Sequence, residues 1–125
     1  MLEKLGLLAV AGAAGTLARY WLSGFVYDVV GRDFPWGTAA VNILGCFLFG
    51  FFWELGEDRM LLRTEARVVI LTGFMGAFTT FSTFIFESGA FLEDGRLLPA
   101  LANVAFQTIV GFAALFGGLM LGRML

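Results

Sequence analysis

Long stretches without a single Asp, Glu, Lys or Arg constrain this chain more than any other feature. Residues 34–53, 68–86 and 97–122 contain none, and residues 5–27 contain only Arg19. The hydrocarbon core of a bilayer is roughly 30 Å thick and takes about 20 apolar residues to cross as a helix. Each run is long enough, and the charges gather in short islands between them. Charged residues make up 14% of the chain and hydrophobic ones 59%, against about 25% charged in soluble domains. The expected fold is an all-α membrane protein with four transmembrane helices, at about 5–30, 34–53, 68–86 and 97–122. With short connections these spans account for the 125 residues as a single unit.

The islands read as turns and caps. Pro35 and Pro99 suit the first turns of the second and fourth helices, where a missing N–H costs nothing. Thr64 is placed to cap the third helix, and Asp94-Gly95 reads as a turn. Lys4 followed by apolar residues and Ala11-Gly12-Ala13 imitates a signal peptide, but the apolar run continues to Tyr27, so a span is expected. Four spans put both termini on one side. That side carries Lys4, Arg59, Arg63, Arg67 and Arg123, and the other carries Arg32 and Arg96. The positive-inside rule favours cytoplasmic termini, by a margin small enough to permit insertion in both orientations.

Several function classes drop out. There is no histidine, and the single cysteine, Cys46, lies inside the second span, so an intrachain disulfide is excluded. No nucleophile–base pair suggests an enzyme. A net charge of −2 without basic clusters gives nothing for nucleic acid.

The polar residues inside the spans carry the functional signal. An arginine at mid-helix costs roughly 2.5–3.5 kcal/mol on insertion scales and faces a partner or water. Arg19 therefore reads as an anion-attracting residue, against the alternative of a side chain snorkelling to an interface. Thr38 and Asn42 share a face of the second helix, as do Asn103 and Gln107 of the fourth, with Thr108 beside them. Each carboxamide offers two N–H donors. Interhelical hydrogen bonding explains any one of them; two polar stripes together favour a polar track.

The third span reads Thr72-Gly73-Phe74-Met75-Gly76-Ala77-Phe78-Thr79-Thr80-Phe81-Ser82-Thr83-Phe84. Gly73 and Gly76, followed by β-branched Thr79 and Thr80, weaken a helix at mid-membrane. Carbonyls freed there need hydroxyls, water or an ion. Phe81 and Phe84 lie three residues apart on one face, and aromatic ring edges are positive enough to touch an anion. Thr79, Ser82 and Thr83 fall on another face. Glu87 reads as a solvated carboxylate near the interface. Gly118 and Gly122, with Gly12, Gly15, Gly45 and Gly50, permit close helix approach.

These residues resemble the bacterial fluoride channels of the Fluc, or CrcB, family. The likeness rests on Phe34-Pro35-Trp36-Gly37-Thr38 with Val41-Asn42-Ile43-Leu44-Gly45, on the third-span sequence with Glu87 at its offset, and on the segment from Gly15 to Arg19. It covers essentially the whole chain. It implies an antiparallel, dual-topology homodimer with two pores that passively export fluoride across the inner membrane. It implies that Asn42 donates to fluoride while Phe81 and Phe84 form an aromatic wall, with Thr38, Thr80, Ser82 and Thr83 on the path. It also implies a structural sodium ion at the dimer centre, on the backbone carbonyls of Gly76 and Thr79. The family's usual tyrosine and serine of the fourth helix are replaced by Asn103 and Gln107, which keep donor capacity.

Two other readings compete. A small multidrug-resistance transporter also has four helices, but needs a carboxylate in its first span. Here residues 5–27 hold no acid, and the embedded charge is Arg19. A passive assembly subunit has no need of polar stripes on two helices.

Overall fold

A computed structural model describes residues 1–57 and 60–125; Arg59, one of the cations counted above, lies outside them. Among the described residues, four apolar spans long enough to cross a membrane run over Leu2–Val30, Trp36–Glu57, Thr64–Glu93 and Leu97–Arg123. The first is α1 (Leu2–Val30), which ends where Gly31, at φ 100°, caps it with an N–H to the Tyr27 carbonyl. Next comes α2 (Trp36–Glu57). Pro35 stands one residue ahead of it, and its carbonyl accepts from the Ala39 N–H at 3.0 Å. The last is α6 (Leu97–Arg123), with Pro99 in its first turn as expected.

The third span is composite. It starts as α3 (Thr64–Val68), widens into a π-helical segment (Val69–Met75) and returns to a short turn, α4 (Gly76–Phe78). After a break at Thr79 and Thr80 it resumes as α5 (Phe81–Glu93). It therefore extends well past residues 68–86 at both ends. Thr64 is not the cap: it is the first helical residue, Arg63 holds the cap position, and no side chain bonds there. The glycines do not break the span either. The chain stays helical through Gly73 and Gly76, and extended backbone appears only at Thr79 (ψ 158°) and Thr80 (φ −147°).

α2 and α6 make the most extensive pairing. It depends on small residues: a methyl group on Gly50 would collide with the Leu115 carbonyl, and one on Gly118 with the Phe47 carbonyl. Without a hydrophobic drive between helices in lipid, such backbone approach supplies the packing energy. α1 packs on the π-helical segment and α4, with Gly15 against the Phe74 carbonyl. Gly45 and Gly122 are likewise tightly abutted, whereas Gly12 makes only an ordinary 3.9 Å contact. The apolar core is small, built on Val41, Leu71, Met75 and Phe78. Among the described residues the buried polar ones are Thr38, Glu54, Thr80, Ser88, Asn103 and Gln107, while many Leu, Ile and Phe side chains face outward. Apolar outside and polar within is the distribution a lipid solvent selects.

Candidate functional site

The break in the third span is made by Asn42. Its Oδ1 accepts from the Thr80 N–H at 2.8 Å, and its Nδ2 donates back to the Thr80 carbonyl at 3.2 Å. In an unbroken helix the Thr80 N–H would belong to the Gly76 carbonyl. Asn42 takes it instead, so the Gly76 carbonyl loses its helical partner. Likewise the Thr83 N–H goes to Thr80 Oγ1 at 3.3 Å, which caps α5, rather than to the Thr79 carbonyl. Arg19, half-buried on α1, places NH1 3.5 Å from that Thr79 carbonyl. Thr79 itself turns back, giving both its N–H and its hydroxyl to the Met75 carbonyl.

From Asn42 the polar groups run two ways. One leads into α6: Asn42 Nδ2 donates to Gln107 Oε1 at 2.8 Å, and Gln107 Nε2 donates to Asn103 Oδ1 at 2.8 Å. Asn103 Nδ2 then donates to Ser88 Oγ at 2.9 Å. The other leads up α2 to Thr38, whose hydroxyl donates to Glu87 Oε1 at 2.8 Å. Tyr27 OH donates to the same oxygen at 3.2 Å. Glu87 is thus not an ordinary solvated carboxylate. It is held by two hydroxyls, and Oε2 is buried without a partner among the described residues. Glu87 and Tyr27 line a cleft of about 630 Å³ together with Arg32 and Arg96. Arg32 lies over the Tyr27 ring at 4.9 Å and Arg96 over Phe91 at 5.0 Å.

The expected site residues divide accordingly. Asn42, Thr80, Asn103 and Gln107 join one hydrogen-bonded system, to which Thr83 is tied by the Thr80 hydroxyl at 2.8 Å, while Thr38 belongs to a separate cluster with Glu87 and Tyr27. Phe81 and Phe84 meet at 5.8 Å between ring centroids, tilted by 50°. Their environments differ sharply: Phe84 is 9% exposed and Phe81 75%. Ser82 and Thr108 are also exposed. Ser88 and Tyr27 were not read from the sequence as site residues. A helical stripe could have found both, since Thr80, Phe84 and Ser88 are spaced by four, as are Arg19, Ser23 and Tyr27.

Residues 6–119 match the family described as "CrcB-like protein, Camphor Resistance (CrcB)". The chain belongs to the CrcB family. A relative from Solidesulfovibrio magneticus is 79% identical over 125 residues, covering the whole of both chains. One from Nitrosococcus oceani is 50% identical, again over the whole of both chains. One from Nitratidesulfovibrio vulgaris is 50% identical over 98% of this chain and 99% of its own. Each of the three bears the name "Fluoride-specific ion channel FluC". Among CrcB proteins this chain therefore has full-length relatives, and the residues around Asn42 and the third-span break lie within the matched region.

Proposed function

We propose that this multi-pass inner-membrane protein is a passive fluoride-selective channel, a transporter of ions rather than an enzyme, that exports fluoride from the cytoplasm. The observation that carries the reading is the line of uncharged donors at mid-membrane, centred on Asn42 and the opened third span. Fluoride is small and strongly hydrated, so a pore must replace its water with protein donors without trapping it behind a full charge. Asn103 and Gln107 each have a spare N–H and Ser82 and Thr83 a hydroxyl to supply such donors; Asn42, Thr38 and Thr80 reach the ion by exchanging a hydrogen bond they already make, and the edges of Phe81 and Phe84 form an aromatic wall. Arg19, whose guanidinium lies against the Thr79 carbonyl, adds positive potential beside the break. HF entering cells dissociates at the higher internal pH, and a passive leak relieves the build-up of fluoride.

The working unit in this proposal is an antiparallel homodimer with two pores. The outward exposure of Phe81 and Ser82 supports it, because residues assigned to the path then face a second copy. Sodium at the dimer centre draws on carbonyl oxygen, which suits a hard cation: the Gly76 carbonyl has lost its helical N–H partner, and so has the Thr79 carbonyl, which Arg19 NH1 approaches at 3.5 Å and would share with the ion. The same residues of a second copy would enlarge that oxygen shell. Prolonged exchange into sodium-free medium should reduce activity, and full activity would remove the ion from the account.

The primary test is efflux from proteoliposomes loaded with potassium fluoride or potassium chloride, triggered by valinomycin. Rapid fluoride release with little chloride release is the expected result. A folded dimer that releases neither would overturn the channel reading and return the proton-coupled drug transporter to consideration.

A further inference from the structure

The hydrogen bonds from Asn42 to Ser88 form a closed circuit whose polarity is fixed at both ends by backbone. At one end the Thr80 N–H can only donate, so Asn42 must present Oδ1 to it and Nδ2 to Gln107. Gln107 then faces Asn42 with oxygen and Asn103 with nitrogen, and Asn103 in turn faces Ser88 with nitrogen. At the other end Ser88 Oγ donates to the Phe84 carbonyl at 2.8 Å, a group that can only accept. The circuit leaves α5 at Thr80, crosses α2 and α6, and returns to α5 at Ser88. Its three amide side chains have one consistent orientation, and reversing any of them would set donor against donor or acceptor against acceptor.

The donor inventory follows. A carboxamide has two N–H groups. Asn42 spends both, on Thr80 and Gln107. Gln107 and Asn103 each spend one on the circuit. Each therefore keeps one N–H at a buried position, Asn103 being 0% exposed and Gln107 8%. An amide restrained at both its oxygen and one N–H has its plane fixed, so the direction of the remaining N–H is fixed as well. Ser88 is the group that closes this restraint on Asn103.

We infer that Ser88 is a positioning residue for the anion path, acting through Asn103 and Gln107 to hold their spare N–H groups in a fixed direction. The consequence for fluoride rests on the channel reading above; the circuit itself does not. Two measurements separate them. In isotope-labelled protein in lipid bicelles, Ser88→Ala should shift or broaden the side-chain amide signals of Asn103 and Gln107, and Ser88→Thr should keep them near wild type. Amide signals unmoved by Ser88→Ala would overturn the circuit. In the efflux assay, losing one buried neutral hydrogen bond should slow fluoride about five-fold in Ser88→Ala, with recovery in Ser88→Thr. In an Asn103→Leu background Ser88→Ala should have no further effect; an undiminished effect there would show that Ser88 does not act through the circuit. If wild-type protein moves no fluoride, the channel reading fails while the amide signals still decide the circuit.

Discussion

Residues 64–78, ahead of the break, are seated against the rest of the protein by Leu71, Met75 and Phe78 and by glycine contacts with α1. Beyond the break, α5 buries hydroxyl groups and a backbone carbonyl in side-chain hydrogen bonds. The first half is positioned by shape, and tolerates a widened π-helical turn because its contacts are non-directional. The second is positioned by donors and acceptors, which must be individually matched once water is absent. The difference explains why the break falls where it does. Glycine weakness alone leaves the chain helical at Gly73 and Gly76, and the helix opens only where Asn42 offers the Thr80 N–H a replacement acceptor and its carbonyl an additional donor.

The comparison is broken most severely at Asn42. Asn42→Asp keeps an acceptor for the Thr80 N–H but removes the donors to the Thr80 carbonyl and Gln107. It also places a negative charge on the path. Two like charges about 4 Å apart repel by about 4 kcal/mol at the effective dielectric of a protein site. Fluoride efflux should therefore fall by about 100-fold or more, a ten-fold change corresponding to about 1.4 kcal/mol, as read with a fluoride electrode. Efflux at the wild-type rate would remove Asn42 from the path. Met75→Ala attacks the other half. Such truncations cost about 2–5 kcal/mol in soluble cores. Here the cavity term dominates, since an unfolded helix in lipid does not return Met75 to water, so about 2–3 kcal/mol is expected. Denaturant titration in micelles measures the loss, and fluoride-over-chloride selectivity of the folded fraction should not change.

What was legible in the sequence follows the same division. The four spans and the Gly50 and Gly118 contacts were readable, because apolar runs and small-residue spacing are local signals. Thr38 with Asn42 and Asn103 with Gln107 were readable as stripes, for the same reason. The assembly of those stripes was not. Nothing local announces that Glu87 meets Thr38 and Tyr27, or that Ser88 closes on Asn103, since these bonds span 49, 60 and 15 residues of chain. Thr64 failed as a cap because it sits one position too far along, in helical backbone, without the extended cap geometry that lets a side-chain oxygen reach the open N–H groups of the first turn.

The two phenylalanines of α5 sharpen the comparison at smaller amplitude. Phe84 is buried and Phe81 faces outward. Phe84→Ile should cost about 1 kcal/mol of stability through altered shape and also reduce fluoride efflux. Phe81→Ile should leave the stability of the subunit unchanged and reduce efflux only by removing a ring edge from the path. Unchanged efflux in both variants would take the aromatic wall out of the proposed pore.

Arg19 should give the smallest effect, and its sign is instructive. Its 3.5 Å approach to the Thr79 carbonyl is at the limit of a hydrogen bond, so Arg19→Gln, which keeps a donor, should leave the break in place. What the substitution removes is charge. A positive potential at a half-buried site acts on an approaching anion over roughly a Debye length, about 10 Å at 0.1 M salt and about 30 Å at 0.01 M. Fluoride efflux from Arg19→Gln should therefore fall by about two- to three-fold at low ionic strength and converge on wild type as inert salt is added. A deficit that persists unchanged at high salt would make Arg19 a structural support of the opened third span, and would move it from the electrostatic side of the comparison to the side governed by matched hydrogen bonds.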